Sequence, residues 1–410
     1  MTSSNKSGTV PAFGPLAGVR VVSCGSAIAG PFAAQLMGEW GADVIWIENP
    51  KVPEMLRADS AGAKGLSAEM ERRNQRTIAL DLREKRGQEV FLALLTDADI
   101  LVENSKGGQF ERMGLSDTVL WDANPSLVIA HVSGFGQSGE PEAVGRPAYD
   151  AIAQAFGCYM QLNGPTEGPP IPASPIPGDY LTALFAASSS LAALLRARST
   201  GEGESIDIAM FEVLLRAGGA SPTEYLNLGI KPLRRGGGHA RAVGIGLYAC
   251  KDGVDIYVVM HGAGILQRGL AIMGLDDPVL FPPDLHYVAK ESPEGARVQA
   301  AMVDYCKSRN ALEVEQAFSA AGIPCSRVYT YDIAEDDPHY KARGVFKNWE
   351  SVSGATLRGV KVVPDFKRRP GQVWRGAPTI GMDNEAILKE AGFDDESIRK
   401  LYEAKLIAKR

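Results

Sequence analysis

Apolar residues in this chain come in short blocks divided by glycine and proline, and the blocks alternate between two periods. Residues 19–23 (VRVVS) and 42–48 (ADVIWIE) are β-branched runs. Between them Pro31 opens FAAQLMGEWG, whose apolar positions recur at helical spacing. Strand, helix and strand in so short a span is the βαβ unit of a parallel sheet. The pattern continues with strands predicted at 77–81 (TIALD), 100–103 (ILVE), 127–132 (LVIAHV) and 205–208, and helices at 85–96, 119–123 and 152–159. Residues 181–195 are almost all Leu, Ala, Phe and Ser, which reads as a buried helix. A further helix starts at 209.

The second half changes character. Glycines gather at 218–219, 229 and 236–246, marking a linker or mobile loop. Residues 247–250 and 255–260 alternate across Asp252–Gly253 as a hairpin. Helices are predicted at 297–307 and 311–321, then a short one at 331–337. Strands at 344–349 and 356–361 pair around Ser353–Gly354, and helices follow Asp383 and span 394–404. The fold class is therefore α/β: a Rossmann-like large domain (1–224), a smaller α+β domain (225–335), and a C-terminal part (336–410) returning to the first.

Length and composition fit this division. A chain of 410 residues exceeds one ordinary core, and 45% hydrophobic with 22% charged residues is ordinary for a globular protein. The net charge of −6 argues against bulk nucleic-acid binding. Five scattered cysteines without a CxxC pair, and five dispersed histidines, point away from a disulfide framework and a metal centre. No targeting segment or uninterrupted apolar run long enough to span a bilayer is read, so a cytoplasmic protein without membrane or nucleic-acid partners is expected.

Candidate chemistry lies in loops after strands. The first turn, CGSAIAG, lacks the GxGxxG dinucleotide fingerprint. Glu48, where such a fold holds its ribose acid, is expected to be a surface acid. Residues 51–76 carry Lys51, Arg57, Lys64, Arg72, Arg73 and Arg76. They form either a solvated face or a rim that attracts a polyanionic cofactor. Lys106 precedes Gly107–Gly108, and Arg112 follows. Glycine N–H groups beside a cation suit a phosphate. The glycine-rich loop 133–150 holds Arg146, Tyr149 and Asp150 beyond a strand's carboxyl end, where open α/β sheets bind ligands. Pro172, Pro175, Pro177 and Gly178 then deliver Asp179 to the head of the apolar run. Asp179 is either a helix cap or a carboxylate that the helix end keeps ionised for nucleophilic attack.

The stretches FGPLAGVRVV, IAGPFAAQLMGEWGADVIWIEN, NPSLVIAHVSGFGQSG and GQVWRGAPTIGMD, with PIPGD, resemble the family III CoA-transferases, and within them the carnitine branch. The resemblance implies an interlocked homodimer. It also implies reversible CoA transfer between a betaine acyl-CoA (crotonobetainyl-CoA or γ-butyrobetainyl-CoA) and L-carnitine through a covalent aspartyl intermediate. The CoA thioester is then a substrate, with no tightly bound cofactor and no metal. The nucleophile falls on Asp179. CoA contacts fall on Lys106, on Arg112 and Asn104 of the EN…RxG stretch, on Tyr149 with neighbouring Arg146, and on Asn74 and Arg76. Met113 replaces a second arginine of the carnitine branch, while Pro147 and Ile28 depart from the formyl branch. Backbone N–H groups near Gly134 or Gly136 are candidate oxyanion donors. Tyr225, Tyr248, Tyr257 and Trp40 are candidates for a trimethylammonium. Three alternatives remain: a transferase for another short-chain acid, a 2-methylacyl-CoA racemase using an Asp/His pair (for which His131 has no obvious partner), and a CoA-ester binding protein without turnover.

Overall fold

The computed structural model describes residues 10–57 and 65–409. In chain order the elements are β1 (Arg20–Cys24), α1 (Ala29–Glu39), β2 (Asp43–Glu48), α2 (Leu66–Arg72), β3 (Gln75–Ala79), α3 (Lys85–Leu95), β4 (Ile100–Glu103), α4 (Gln109–Arg112), α5 (Asp117–Ala123), β5 (Val128–Ser133), α6 (Pro141–Val144), α7 (Asp150–Phe156), α8 (Pro177–Thr200), β6 (Glu204–Ala209) and α9 (Met210–Ala217). They continue as α10 (Ser221–Leu228), β7 (Ile245–Ala249), β8 (Asp255–Val259), α11 (Ala263–Ile272), α12 (Pro293–Lys307), α13 (Ala311–Ala320), β9 (Cys325–Arg327), α14 (Tyr331–Asp336) and α15 (Pro338–Arg343). The chain closes with β10 (Phe346–Glu350), β11 (Thr356–Val360), α16 (Asn384–Glu390) and α17 (Asp395–Glu403).

Two compact units result. One holds the chain up to Tyr159 with Ala173–Gly219 and the segment from Ala342 onward; the other holds Met160–Pro172 and Ala220–Lys341. The short segment 160–172, grouped with the large domain from sequence, belongs to the second unit. That unit is an antiparallel sheet, β7-β8-β9, packed with α11, α12 and α13 around Ile256, Val258, Met302 and Phe318. Its hairpin turns at Gly253, whose φ of 77° suits glycine.

The first unit is built on six parallel strands in the order β3-β2-β1-β4-β5-β6. Every residue of β1 through β5 is buried, as both faces of a parallel sheet are covered. Strand alternation sends Val21, Val44, Val102, Val128 and Ala130 to one face, against α1, α8 and α9. Val22, Ile45, Ile78, Leu101 and Ile129 go to the other, against α3, α16 and α17. The chain winds outward from β1 to β3 and resumes at β4 on β1's other side. A crevice opens at such a reversal, outside the carboxyl ends of the strands.

Helix α8 differs from its reading as a buried helix. It lays Ala183, Ala186, Ala187 and Leu194 on Ala29, Ala33 and Ala34 of α1 and on the sheet. Leu184, Phe185 and Leu195 of its other face are 48%, 46% and 76% exposed. By length and composition α8 could cross a membrane, but here one of its faces is packed into a globular core.

The cations of 51–76 are also corrected. Arg57 pairs with Glu48 at 3.0 Å, Arg73 with Glu39 at 2.6 Å, and Arg76 with Asp43 at 2.7 Å; Arg72 pairs with Glu54, and Lys51 reaches Asp81 at 2.8 Å. Arg57 and Arg72 both lie against the Trp46 ring, at 4.6 and 4.3 Å. These arginines are structural ion pairs, not a solvated face or phosphate rim. Glu48 is buried rather than a surface acid. Lys64 lies outside the described residues.

His131 of β5, without an obvious partner in sequence, is paired twice. Its Nδ1 is 2.7 Å from Glu103 and its Nε2 is 2.8 Å from Asp117. Burial opposes the imidazolium, but Asp117 and Glu103 outweigh it and raise the pKa to about 9. The pair therefore stabilises fully below the unfolded value near 6.5 and is lost as pH rises through about 9. Urea unfolding of the wild type should lose on the order of 1–3 kcal/mol across that window, and H131Q should lose much less.

Candidate active site

The crevice predicted by topology is a cleft of about 560 Å³ at the carboxyl ends of β1 to β4. Its lining includes Gly25 and Ser26 after β1, Glu48 at the end of β2 with Asn49 after it, Leu80 after β3, and Asn104, Ser105 and Lys106 after β4. Asn104 ties the first of these loops in place: its Oδ1 accepts the Ser26 N–H and its Nδ2 donates to the Ser26 carbonyl. A Cβ on Gly25 would fall 2.1 Å from that Oδ1, so the close approach requires glycine. Lys106 is exposed at the cleft.

The remaining residues expected at CoA divide. Gly108, at φ 68°, begins α4, and its N–H donates to Gln137. Arg112 folds back to donate to the Gly107 carbonyl at 3.1 Å. Arg146 lies over the Phe135 and Phe156 rings, and Tyr149, 69% exposed, precedes α7. None of Arg112, Arg146 and Tyr149 lines the cleft.

Arg76 and Asn74 are corrections. The Arg76 guanidinium is buried against Asp43 and Glu390. The Asn74 side chain joins the Gly38 and Gln372 carbonyls to the Trp374 N–H. Both hold β2, β3 and the C-terminal segment together and offer nothing to a ligand. The Gly136 N–H, a candidate oxyanion donor, is spent on the Ser133 hydroxyl at 2.8 Å. Tyr248 is buried in the core of the second unit.

Asp179 sits in the first turn of α8, two residues inside its start at Pro177. It does not cap the helix. Asp150, at the head of α7, does so from outside: its Oδ1 accepts the Gly178 N–H at 2.6 Å and the Asp179 N–H at 3.3 Å. Gln154, one turn along α7, donates to the other Asp150 oxygen and also bonds both the N–H and C=O of Ala173. Sequence reading noted Asp150 in the ligand zone but gave it no role, and it missed Gln154.

Asp179 is expected to be kept ionised by the helix end; it is ionised at neutral pH, but its pKa is raised, not lowered. Burial, then the Asp150 charge, with Glu71 adding, push its pKa up to about 6; the Ala29 N–H at the head of α1 pulls the other way. Glu71 accepts the Tyr180 hydroxyl at 3.0 Å, which brings α2 into the neighbourhood. At neutral pH Asp179 is mostly ionised, and it is more basic than a free aspartate. An ionised, basic carboxylate suits nucleophilic attack. Ala29 closes the same β1–α1 loop whose Gly25 and Ser26 line the cleft. His131, by contrast, packs beside Phe110 on the sheet face away from α8. It cannot form an Asp/His pair with Asp179.

The family model for CoA-transferase family III matches residues 16–384. The chain belongs to that family and is a CoA-transferase. Among solved structures it is similar to a CAIB/BAIF family protein from Brucella suis, at 25% identity and TM-score 0.77, covering 92% of this chain and 100% of that one. It also shares the fold of Rv3272 from Mycobacterium tuberculosis, at 23% identity and TM-score 0.78, covering 91% of this chain and 99% of that one. An aspartate-to-alanine variant of Rv3272 matches at 22% identity and TM-score 0.79, covering 92% and 99%.

A carboxyl group whose native pKa is raised makes the fold less stable once ionised. Relative to an unfolded value near 4, Asp179 should cost stability as pH rises from about 4 to about 6 and above. D179N should therefore be more stable than wild type at pH 7 by on the order of 1–2 kcal/mol, with the gain vanishing near pH 4, measured by urea unfolding.

Proposed function

We propose that this CoA-transferase moves CoA reversibly between a betaine acyl-CoA, crotonobetainyl- or γ-butyrobetainyl-CoA, and L-carnitine, with Asp179 as covalent nucleophile. The observation that carries the nucleophile is a half-buried carboxylate in the first turn of α8 whose helix is capped by another acid. The carnitine substrate rests on the resemblance of the long sequence stretches quoted above.

A carboxylate oxygen of Asp179 attacks the thioester carbonyl, the C–S bond breaks, and CoA leaves as thiolate with an enzyme mixed anhydride behind it. The thiolate attacks the Asp179 carbonyl, releasing the first acid as its carboxylate and leaving an aspartyl-CoA thioester. The acceptor carboxylate attacks that thioester and again expels the thiolate. The thiolate then attacks the acceptor's acyl carbon, giving the new acyl-CoA and free Asp179. No proton is transferred in net, so no histidine base is required. Lys106 and Asn104 at the cleft are the CoA-contacting residues of this reading; CoA enters as substrate, not as a resident cofactor.

The protein acts as a homodimer in this reading, interlocked as the resemblance implies. The exposed Leu184, Phe185 and Leu195 face of α8, beside a groove of about 370 Å³ bordered by Trp40, supports cover by a second copy. Light scattering on a sizing column should give twice the chain mass of 43.8 kDa, and a monomer would contradict it.

Incubation with crotonobetainyl-CoA and then hydroxylamine should convert Asp179 to a hydroxamate seen by peptide mass spectrometry, and D179N should form none. A panel of free acids should rank L-carnitine first. Full transfer by D179N would remove the nucleophile, and preference for an uncharged acid would remove the betaine substrate.

A further inference from the structure

We propose that Asp150, held by Gln154, is the positioning residue of the nucleophile, capping α8 from α7 so that the Asp179 side chain is not used as the helix's own cap. The proposal rests on Asp179 being the nucleophile and assigns to α7 the task of keeping it available.

A helix start leaves its first N–H groups without intrahelical partners, and the nearest short acid normally takes them. In α8 the nearest acid is Asp179 itself. Asp150 supplies the acceptor instead, bonding the N–H of Gly178 and of Asp179. It is 5% exposed, and Gln154, at 0%, fixes its second oxygen. Gln154 also clamps Ala173 through both backbone groups, so two side chains one turn apart on α7 hold the approach to α8 at both ends. Gly178 completes the device. A Cβ there would lie 2.7 Å from the Asp150 oxygen, 3.0 Å from Leu214 and 3.2 Å from Met210. Glycine leaves the room the acid uses to reach the helix start.

The arrangement has an electrostatic consequence. The groups acting on Asp179 are Asp150 from α7, Glu71 from α2 and the Ala29 N–H from α1, and the Asp179 charge in turn helps raise the pKa of the Tyr180 hydroxyl beside it on α8. Asp150 neutralises the helix end that would otherwise favour the Asp179 anion, and its own charge raises the proton affinity of Asp179. The same residue thus sets both the position and the basicity of the carboxylate.

The test uses the full-length protein in three forms: wild type, D150N and D150A. Asn keeps an oxygen acceptor without the charge, while Ala removes both. The Asp179 carboxyl is titrated by ¹³C NMR, assigned against D179N, and acyl-enzyme formation from the acyl-CoA is followed across pH by intact mass spectrometry. In D150N the Asp179 pKa should fall below the wild-type value, and the acid limb of acylation should move to lower pH with it. D150A should acylate at least about tenfold more slowly at saturating acyl-CoA, with D150N recovering part of that loss. An unchanged Asp179 pKa in D150N would overturn the proposal, and so would a folded D150A with the wild-type rate and pH profile. If D150A does not fold, the D150N titration decides. If wild type forms no acyl-enzyme while the NMR coupling holds, the nucleophile reading fails and the Asp150–Asp179 linkage stands.

Discussion

Two hydrogen bonds from the start of α8 to one buried residue, Asp150, organise the head of this helix. They satisfy backbone N–H groups that every helix start leaves open, and they do so from a different helix. Asp179 therefore occupies the first turn of a long helix without serving that helix. The arrangement also places a second negative charge nearby, which leaves Asp179 more basic than a surface aspartate and the fold less stable when it is ionised. On the proposed mechanism, function and stability pull in opposite directions at this one side chain.

The rest of the first unit sets the head of α8 beside the β1–α1 loop; that loop lines the cleft, while Asp150 and Asp179 do not. Small residues of α1 and α8 pack together on one face of the sheet, and this brings the head of α1 to Asp179. The loop before α1 turns at Gly25 against Asn104 and opens onto the cleft. On the other side of β2, the arginines of 51–76 join β2, β3 and the C-terminal segment: Arg76 reaches Glu390, and Asn74 reaches Gln372 and Trp374. The C-terminal segment thereby becomes a structural part of the first unit.

Much of the fold was legible because strand and helix periods are local. The buried runs VRVVS, DVIWIE and LVIAHV and the break at Gly41 mark β1, β2, β5 and the end of α1 directly. Asp179 was legible as an acid at a helix head through its prolines and glycine. The division of labour around it was not. Asp150 caps α8 from 28 residues upstream, a distance that leaves no spacing signal. The same holds for Arg76, whose partner Glu390 is 314 residues away, and for Arg73, whose partner Glu39 precedes it by 34. A charge-rich stretch looks alike in sequence whether its partners are solvent, phosphate or distant carboxylates. His131 was misread for the same reason, since Glu103 lies on the neighbouring strand and Asp117 at the head of α5. The half-exposed character of α8 was hidden because its outward face is as apolar as its inward one.

The covalent route makes one demand that no binding or general-base mechanism shares: an oxygen of the acceptor acid must end on the nucleophile. Turnover with L-carnitine labelled by ¹⁸O in both carboxylate oxygens, followed by peptide mass spectrometry, reads this directly. The account predicts one ¹⁸O in the Asp179 carboxyl after a single turnover, a second after repeated turnovers, and none on Asp150 or Glu71. Transfer of CoA with Asp179 unlabelled would contradict it.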